Sequence, residues 1–291
     1  MKYSILGSGS KANSYIFYND NSSCIIDNGY SFTEFSRRCI SLQYELDKIK
    51  FILVTHTHKD HISGVKTCAK KLKIPIYIHK DSEYDQYFKN EKIELRLIET
   101  NKIYQNNFFS FIAFSTSHDA NASVSYSLNF NNTTFTIITD TGVITKEMVY
   151  YAKNSDILFP EANYNPQMLK EGPYPIHLKK RIESCQGHLS NINAINFLNY
   201  LSKKDSKIKL VYFCHLSEVN NSPQVLQEDI LRNAKFNFKY VICPRNQIVD
   251  GVDIYQDIKS KNLSDNNSNA IYSENFKNIF KFKNSKEDLL F

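Results

Sequence analysis

The chain has 291 residues, 42% of them hydrophobic and 23% charged, enough apolar material for the core of one large domain or two small ones. Its formal charge of +6 suits a polyanionic substrate but is spread along a chain rich in Lys, Asn and Ile rather than gathered into a patch. No apolar run approaches the roughly 20 residues that span a bilayer, and the opening MKYSILGSGSKAN turns polar before a signal-peptide core is complete, so a cytoplasmic location is expected.

In the first half, Tyr3–Leu6, Ser14–Tyr18, Cys24–Ile26, Phe51–Val54 and Ile76–Ile78 are predicted strands. An amphipathic helix is predicted from Ser63 to Lys73, with Val65, Cys68, Ala69 and Leu72 on one face. The second half repeats the theme with Phe108–Phe114, Val124–Phe130, Phe135–Ile138, Ile157–Phe159, Leu210–Phe213 and Tyr240–Ile242. Between the last groups, Ser190 is placed to cap a helix carrying Ile192, Ile195, Leu198 and Leu201. Antiparallel strands followed by strand–helix alternation in each half predict a layered α/β domain. It is expected to occupy residues 1–257. Residues 258–291 open with the polar stretch KSKNLSDNNSN and read as a linker and tail, in which Phe276, Ile279, Phe280 and Phe282 form a short docking helix. The six cysteines (Cys24, Cys39, Cys68, Cys185, Cys214, Cys243) form no C-x-x-C pair, which argues against a disulfide framework or a cysteine zinc cage; all six are expected as buried small hydrophobes.

The most informative stretch is FILVTHTHKDHISG, residues 51–64. A buried-type strand runs straight into His56, Thr57, His58, Lys59, Asp60 and His61. Alternating residues at a strand end project the same way, so His56 and His58 can share one metal while Asp60 and His61 in the turn reach a second. Two ions about 3.5–4 Å apart suit in-line hydrolysis, where they steady the attacking and leaving oxygens. A polar loop that happens to be histidine-rich is the bland alternative, yet three of the chain's eight histidines fall in these six positions.

This H-x-H-x-D-H pattern after an apolar strand resembles the signature of the metallo-β-lactamase superfamily. The family pattern also has an acid at an early strand end, a later lone His, an Asp and a last His; CIIDNG (Asp27), STSHDA (His118), TIITDTG (Asp140) and VYFCHLSE (His215) match them in order. The resemblance implies a four-layer αββα sandwich and two divalent metal ions. By it His56, His58 and His118 bind one ion, Asp60, His61 and His215 the other, and Asp140 bridges them. Asp27 would orient the H-x-H loop through hydrogen bonds, as metal-binding histidines require. A donor set without thiolate suits Zn²⁺ or Mn²⁺.

Further segments, LGSGSKAN, SHDA, TDTG, EANYNPQML, GPYPIHLKKRI, GHLSN and HLSEVNN, resemble the landmarks of the YycJ/WalJ group of bacterial metallo-hydrolases. That resemblance implies a nuclease or phosphodiesterase acting on nucleic acid, with 5′-to-3′ exonuclease activity. Glu161 in FPEANY and His188 in GHLSN resemble an acid and histidine that act near the scissile phosphate in ribonuclease-type relatives. A histidine held by a carboxylate stays protonated and can donate to a leaving oxygen. The expected catalytic set is His188, Glu161 and Asp60, the last doubling as a ligand. Lys180 and Arg181 are either phosphate contacts or a solvated basic helix face. His177 stands where an aromatic is more usual, and His177 and His79 are expected at the surface. LGSGSKAN is not a generic phosphate loop, and its role is open.

The same ligands would support a hydrolase of a thioester or lactone. A non-enzymatic metal-binding regulatory module is disfavoured by the intact ligand set, and a flavin-linked di-iron role by His58, which stands where such relatives carry an acid.

Overall fold

The computed structural model describes residues 2–19, 21–106, 109–130 and 132–251; the linker and docking helix predicted at 258–291 lie outside the described residues. Strands β1 (Lys2–Gly7), β2 (Ser14–Tyr18), β3 (Ser23–Ile26), β4 (Ile49–Leu53), β5 (Ile76–His79) and β6 (Leu95–Ile98) lie side by side in chain order. A second sheet takes β7 (Ile103–Gln105), β8 (Phe109–Ser115), β9 (Val124–Phe130), β10 (Thr133–Ile138), β11 (Ile157–Pro160), β12 (Leu210–Phe213) and β13 (Lys239–Ile242). Finally β14 (Val249–Asp250) returns to pair with β1, so the described strands form two sheets of seven. Each sheet begins antiparallel and continues parallel, from β3 through β6 in the first and from β10 through β13 in the second.

Helices α1 (Phe32–Ser41), α2 (Lys59–Ile62), α3 (Val65–Leu72) and α4 (Tyr84–Phe88) accompany the first sheet. Those of the second are α5 (Lys146–Lys153), α6 (Pro166–Glu171), α7 (Ile176–Glu183), α8 (Asn191–Ser202) and α9 (Pro223–Asn233). None of the described helices is long and apolar enough to cross a membrane.

The alternation of side chains along each strand builds the layers. In β2, Tyr15 and Phe17 enter the core between the sheets, while Ile16 and Tyr18 face outward with Phe35 and Cys39 of α1 and Val65 and Cys68 of α3. In β12, Leu210 and Tyr212 face inward, while Val211 and Phe213 join Ile195 and Leu198 of α8 and Leu226 of α9. Strands covered on both faces read as continuous apolar runs, which is why these segments stand out in the sequence. Large rings fill the gap of about 10 Å expected between packed sheets. Phe109 stacks on Phe130 with centroids 4.3 Å apart, and Phe159 on Tyr212 at 5.1 Å. The result is the four-layer αββα sandwich.

Three expectations need correction. The helix predicted over Ser63–Lys73 is present but shorter, α3 running from Val65 to Leu72 after the separate turn α2 has ended at Ile62. Gly64 between them is pressed against the Asp27 turn: its N–H donates to Asn28 O at 2.9 Å, and a Cβ there would lie 1.7 Å from Tyr30 O. His79 is buried rather than at the surface, because it closes β5 and its Nδ1 accepts the Asp81 N–H at 3.2 Å. Cys185 is exposed, in the connection after α7, whereas the other five cysteines are buried as expected.

Candidate metal centre

The predicted site residues gather at the C-terminal ends of strands. Asp27 follows β3, His56 and His58 follow β4, His118 follows β8, and Asp140, Glu161 and His215 follow β10, β11 and β12. Asp60 and His61 lie in the single turn α2, and His188 just precedes α8, which Ser190 caps. The crevice outside carboxyl strand ends is where α/β sheets place ligands. Asp27, Asp140 and His215 have φ of 54°, 57° and 57°, a left-handed backbone uncommon outside glycine. Three strands therefore turn sharply where their functional side chain leaves, the kind of local strain that functional sites hold.

Most of the ligand histidines have one ring nitrogen engaged by an outer partner and the other aimed at a common centre. His61 Nδ1 lies 2.7 Å from Asp27 Oδ2, which leaves Nε2 as the free lone pair. Asp27 also accepts the Thr55 N–H at 2.8 Å and the Thr55 hydroxyl at 2.7 Å. With its proton committed there, Thr55 Oγ1 accepts from His56 Nδ1 at 3.0 Å. His118 Nδ1 donates to Gly187 O at 3.0 Å, and His215 Nδ1 lies 2.9 Å from Glu161 Oε1. This fixing of tautomer by an outer acceptor is the usual support of a metal-binding imidazole.

The inward atoms form two neighbouring sets, one of His56, His58 and His118 and one of Asp60, His61 and His215, each with donor atoms within 4.8 Å of one another. His58 Nδ1 and His118 Nε2 are 3.1 Å apart in the first, and Asp60 Oδ2 is 3.4 Å from both His61 Nε2 and His215 Nε2 in the second. Asp140 stands between them. Its Oδ2 is 3.1 Å from His61 Nε2, and its Oδ1 is 3.6 Å from His118 Nε2 and from His215 Nδ1. Asp140, Glu161, His188 and His215 also form a close group, but there the Nδ1 atoms of both histidines converge on Glu161 Oε1, at 2.7 Å for His188 and 2.9 Å for His215. That is a hydrogen-bonded carboxylate shared by two imidazoles rather than a cage.

Electrostatics separate the sets. Burial, with repulsion from His61, holds His56 well below the usual imidazole range, and burial likewise lowers His58, so both are neutral and able to ligate. Burial opposes protonation of His61, but the carboxylates of Asp60, Asp140 and Asp27 outweigh it and raise its pKa. Burial also works against ionised Asp140, yet His215 and His61 hold it well below the carboxylate range. For His188 burial is again outweighed, here by Glu161, and its pKa is raised.

The donor set fits divalent cations by a further observation. His56 Nε2 and Asp140 Oδ2 are both buried without a hydrogen-bond partner. An unsatisfied buried polar atom costs about 1–3 kcal/mol, which coordination would relieve. Zn²⁺ or Mn²⁺ added to chelator-stripped protein is therefore expected to stabilise it. Saturation at a thousandfold over Kd contributes about 4 kcal/mol per site, a rise in Tm on the order of 8 °C or more. Calorimetry that shows no rise would mean that no cation is held.

The remaining basic candidates part ways. Lys180 and His177 are exposed on α7, while Arg181 Nε donates to Asp119 Oδ2, whose other oxygen lies 3.6 Å from His58 Nε2. Asp119 and Thr55 were not foreseen as parts of the site. Asp119 stood inside the SHDA segment, and Thr55 directly before His56.

The profile of the beta-lactamase superfamily domain matches residues 24–215, a span that includes every candidate site residue from Asp27 to His215. The chain is 31% identical to the exodeoxyribonuclease WalJ of Streptococcus pneumoniae serotype 2 over 225 residues, 76% of this chain and 83% of that protein. It is 28% identical to the exodeoxyribonuclease YycJ of Bacillus anthracis over 233 residues, 79% of this chain and 88% of that protein. Among solved structures, the metallo-beta-lactamase fold protein YhfI from Bacillus subtilis superposes with a TM-score of 0.65 at 15% identity, over 86% of this chain and 98% of that one.

Proposed function

Since the chain belongs to the β-lactamase superfamily and has the metallo-β-lactamase fold, we propose that it is a dinuclear metal-dependent phosphodiesterase, an exonuclease degrading DNA in the 5′-to-3′ direction. The catalytic domain would be residues 1–257, working in the cytoplasm. The observation that carries this reading is the two ligand sets meeting at Asp140, with His188 on Glu161 at their margin. The names of the curated relatives support DNA as the substrate.

His56, His58 and His118 would hold one cation, Asp60, His61 and His215 the other, with Asp140 shared. Bound there, two divalent ions supply Lewis acidity toward a phosphate oxygen and a water acidified to a near-neutral pKa. The chain's own residues do the rest. Glu161, fully buried and accepting the Thr141 N–H at 3.1 Å, is fixed in place. It keeps a proton on His188 Nδ1, so His188 Nε2 is left as the donor toward the leaving oxygen. The His188 side chain is 19% exposed, open enough to meet substrate yet shielded enough for its charge to count. Asp60, 22% exposed, borders the same opening.

Parallel assays test the reading. Purified protein supplied with Zn²⁺ or Mn²⁺ is expected to hydrolyse end-labelled DNA and bis(p-nitrophenyl) phosphate and to leave a thioester intact. Turnover of the thioester alone would move the protein to the small-molecule hydrolases. DNA affinity is also expected to fall at least about tenfold between 50 and 200 mM salt, because neutralised phosphates release counterions. A flat affinity across that range, measured by fluorescence anisotropy, would count against a polyanionic substrate.

A further inference from the structure

The loop between β1 and β2, Ser8–Asn13, is longer than a hairpin connection needs to be. Only Ser10 and Lys11 are exposed in it. The loop is closed by its last residue: Asn13 Oδ1 accepts the Gly9 N–H at 2.9 Å, and Asn13 Nδ2 lies 3.2 Å from Gly9 O. Gly9 has φ of 131°, a backbone that side-chain-bearing residues rarely adopt, and a Cβ on it would approach Leu216 O to 3.3 Å. The loop is thus wedged against the segment that carries His215.

Both ends of the loop grip the second ligand set. At one end, Ser8 Oγ accepts the His215 N–H at 2.7 Å, holding a residue whose own φ is left-handed. At the other, Asn13 N donates to Asp60 O at 2.8 Å, and Asn13 Nδ2 lies 3.1 Å from Asp60 Oδ2 and 3.0 Å from His61 Nε2. Asn13 is fully buried. Its amide nitrogen has two protons and faces three acceptors: Gly9 O, Asp60 Oδ2 and the His61 Nε2 lone pair. The count balances once His61 Nε2 gives its lone pair to a cation, leaving one proton for the loop and one for Asp60.

We infer that the β1–β2 loop is the positioning element of the second cation site, with Asn13 setting Asp60 and Ser8 setting His215. The inference rests on the dinuclear reading above. It gives LGSGSKAN a role that is neither phosphate binding nor a plain turn. Neither residue hydrogen-bonds to His56, His58 or His118, so the loop acts on one site of two.

The experiment is chelator competition and elemental analysis on full-length wild type, Asn13→Ala and Ser8→Ala, with Zn²⁺ as the probe. Wild type is expected to hold two equivalents. Each variant should keep one at wild-type affinity and bind the other about 10–100-fold more weakly, the scale of losing an outer partner of a ligand. Ser8→Ala removes one hydroxyl and keeps the loop closure made by Asn13, so it carries the test if Asn13→Ala does not fold. Two equivalents at unchanged affinity in the folded variants would overturn the inference alone. Fewer than two in wild type would overturn the dinuclear reading and the inference with it, and equal weakening of both sites would show a general loosening rather than a clamp on one.

Discussion

Asp140→Ala is expected to cost more activity than any other single substitution at the centre, well beyond the roughly 100-fold that losing an outer partner costs. The reason is its place between the sets. One oxygen faces His61 at 3.1 Å, and the other lies 3.6 Å from both His118 and His215, so its removal leaves both cation positions short of a ligand. It also removes a negative charge that helps sustain the raised pKa values of His61 and His215, which favours loss of their protons but deprives the cations of a counter-charge. Elemental analysis should show fewer than two equivalents, and hydrolysis should fall in step. Asp140→Asn, which keeps the shape and loses the charge, is expected to behave almost as badly. Near-normal turnover in either variant would remove Asp140 from the site.

The second large effect distinguishes two histidines in nearly the same local context, GHLSN at His188 and CHLSE at His215. His215 is fully shielded at the end of β12, with Nε2 3.4 Å from Asp60 Oδ2. His188 lies at the entry to α8, largely buried but with one-fifth of its side chain open, and with Nδ1 on Glu161. His215→Ala is therefore expected to lose metal and activity together. His188→Ala should keep both metals and bind substrate, while turnover falls by about 10²–10⁴-fold, the range for a proton-transfer group. Metal content and single-turnover rates on the two variants decide it, and loss of metal from His188→Ala with full occupancy in His215→Ala would mean that the roles are exchanged.

How much of this was legible in the sequence depends on the range of the interaction. Strands buried on both faces, such as Leu210–Phe213, are visible because every position is apolar, and the ligands are visible because they sit at the ends of such runs. Two helices carry local start signals of their own. Asn165-Pro166 and Ser222-Pro223 are cap-plus-proline starts, and both side chains do cap, accepting from Met168 N and Val225 N. Short strands such as β6 and β7 have mostly exposed or half-buried side chains, so no apolar pattern marks them. The outer supports were beyond reach for a different reason. Asn13 meets Asp60 across 47 positions and Asp119 meets Arg181 across 62, contacts that exist only because the sheets and helices bring them together. Likewise nothing local announces that Asp27, Asp140 and His215 leave their strands in a left-handed turn.

The ligands are divided between the two sheets. His56, His58, Asp60 and His61 belong to the first, and His118, Asp140 and His215 to the second. During synthesis the first four emerge early but form only a partial nest, and the last ligand arrives some 150 residues later than His61. On the proposed dinuclear reading, capture of both ions would therefore wait until the halves have docked. Bound there, the ions would act as rivets across the seam, so that prising the sheets apart and emptying the site would become one event.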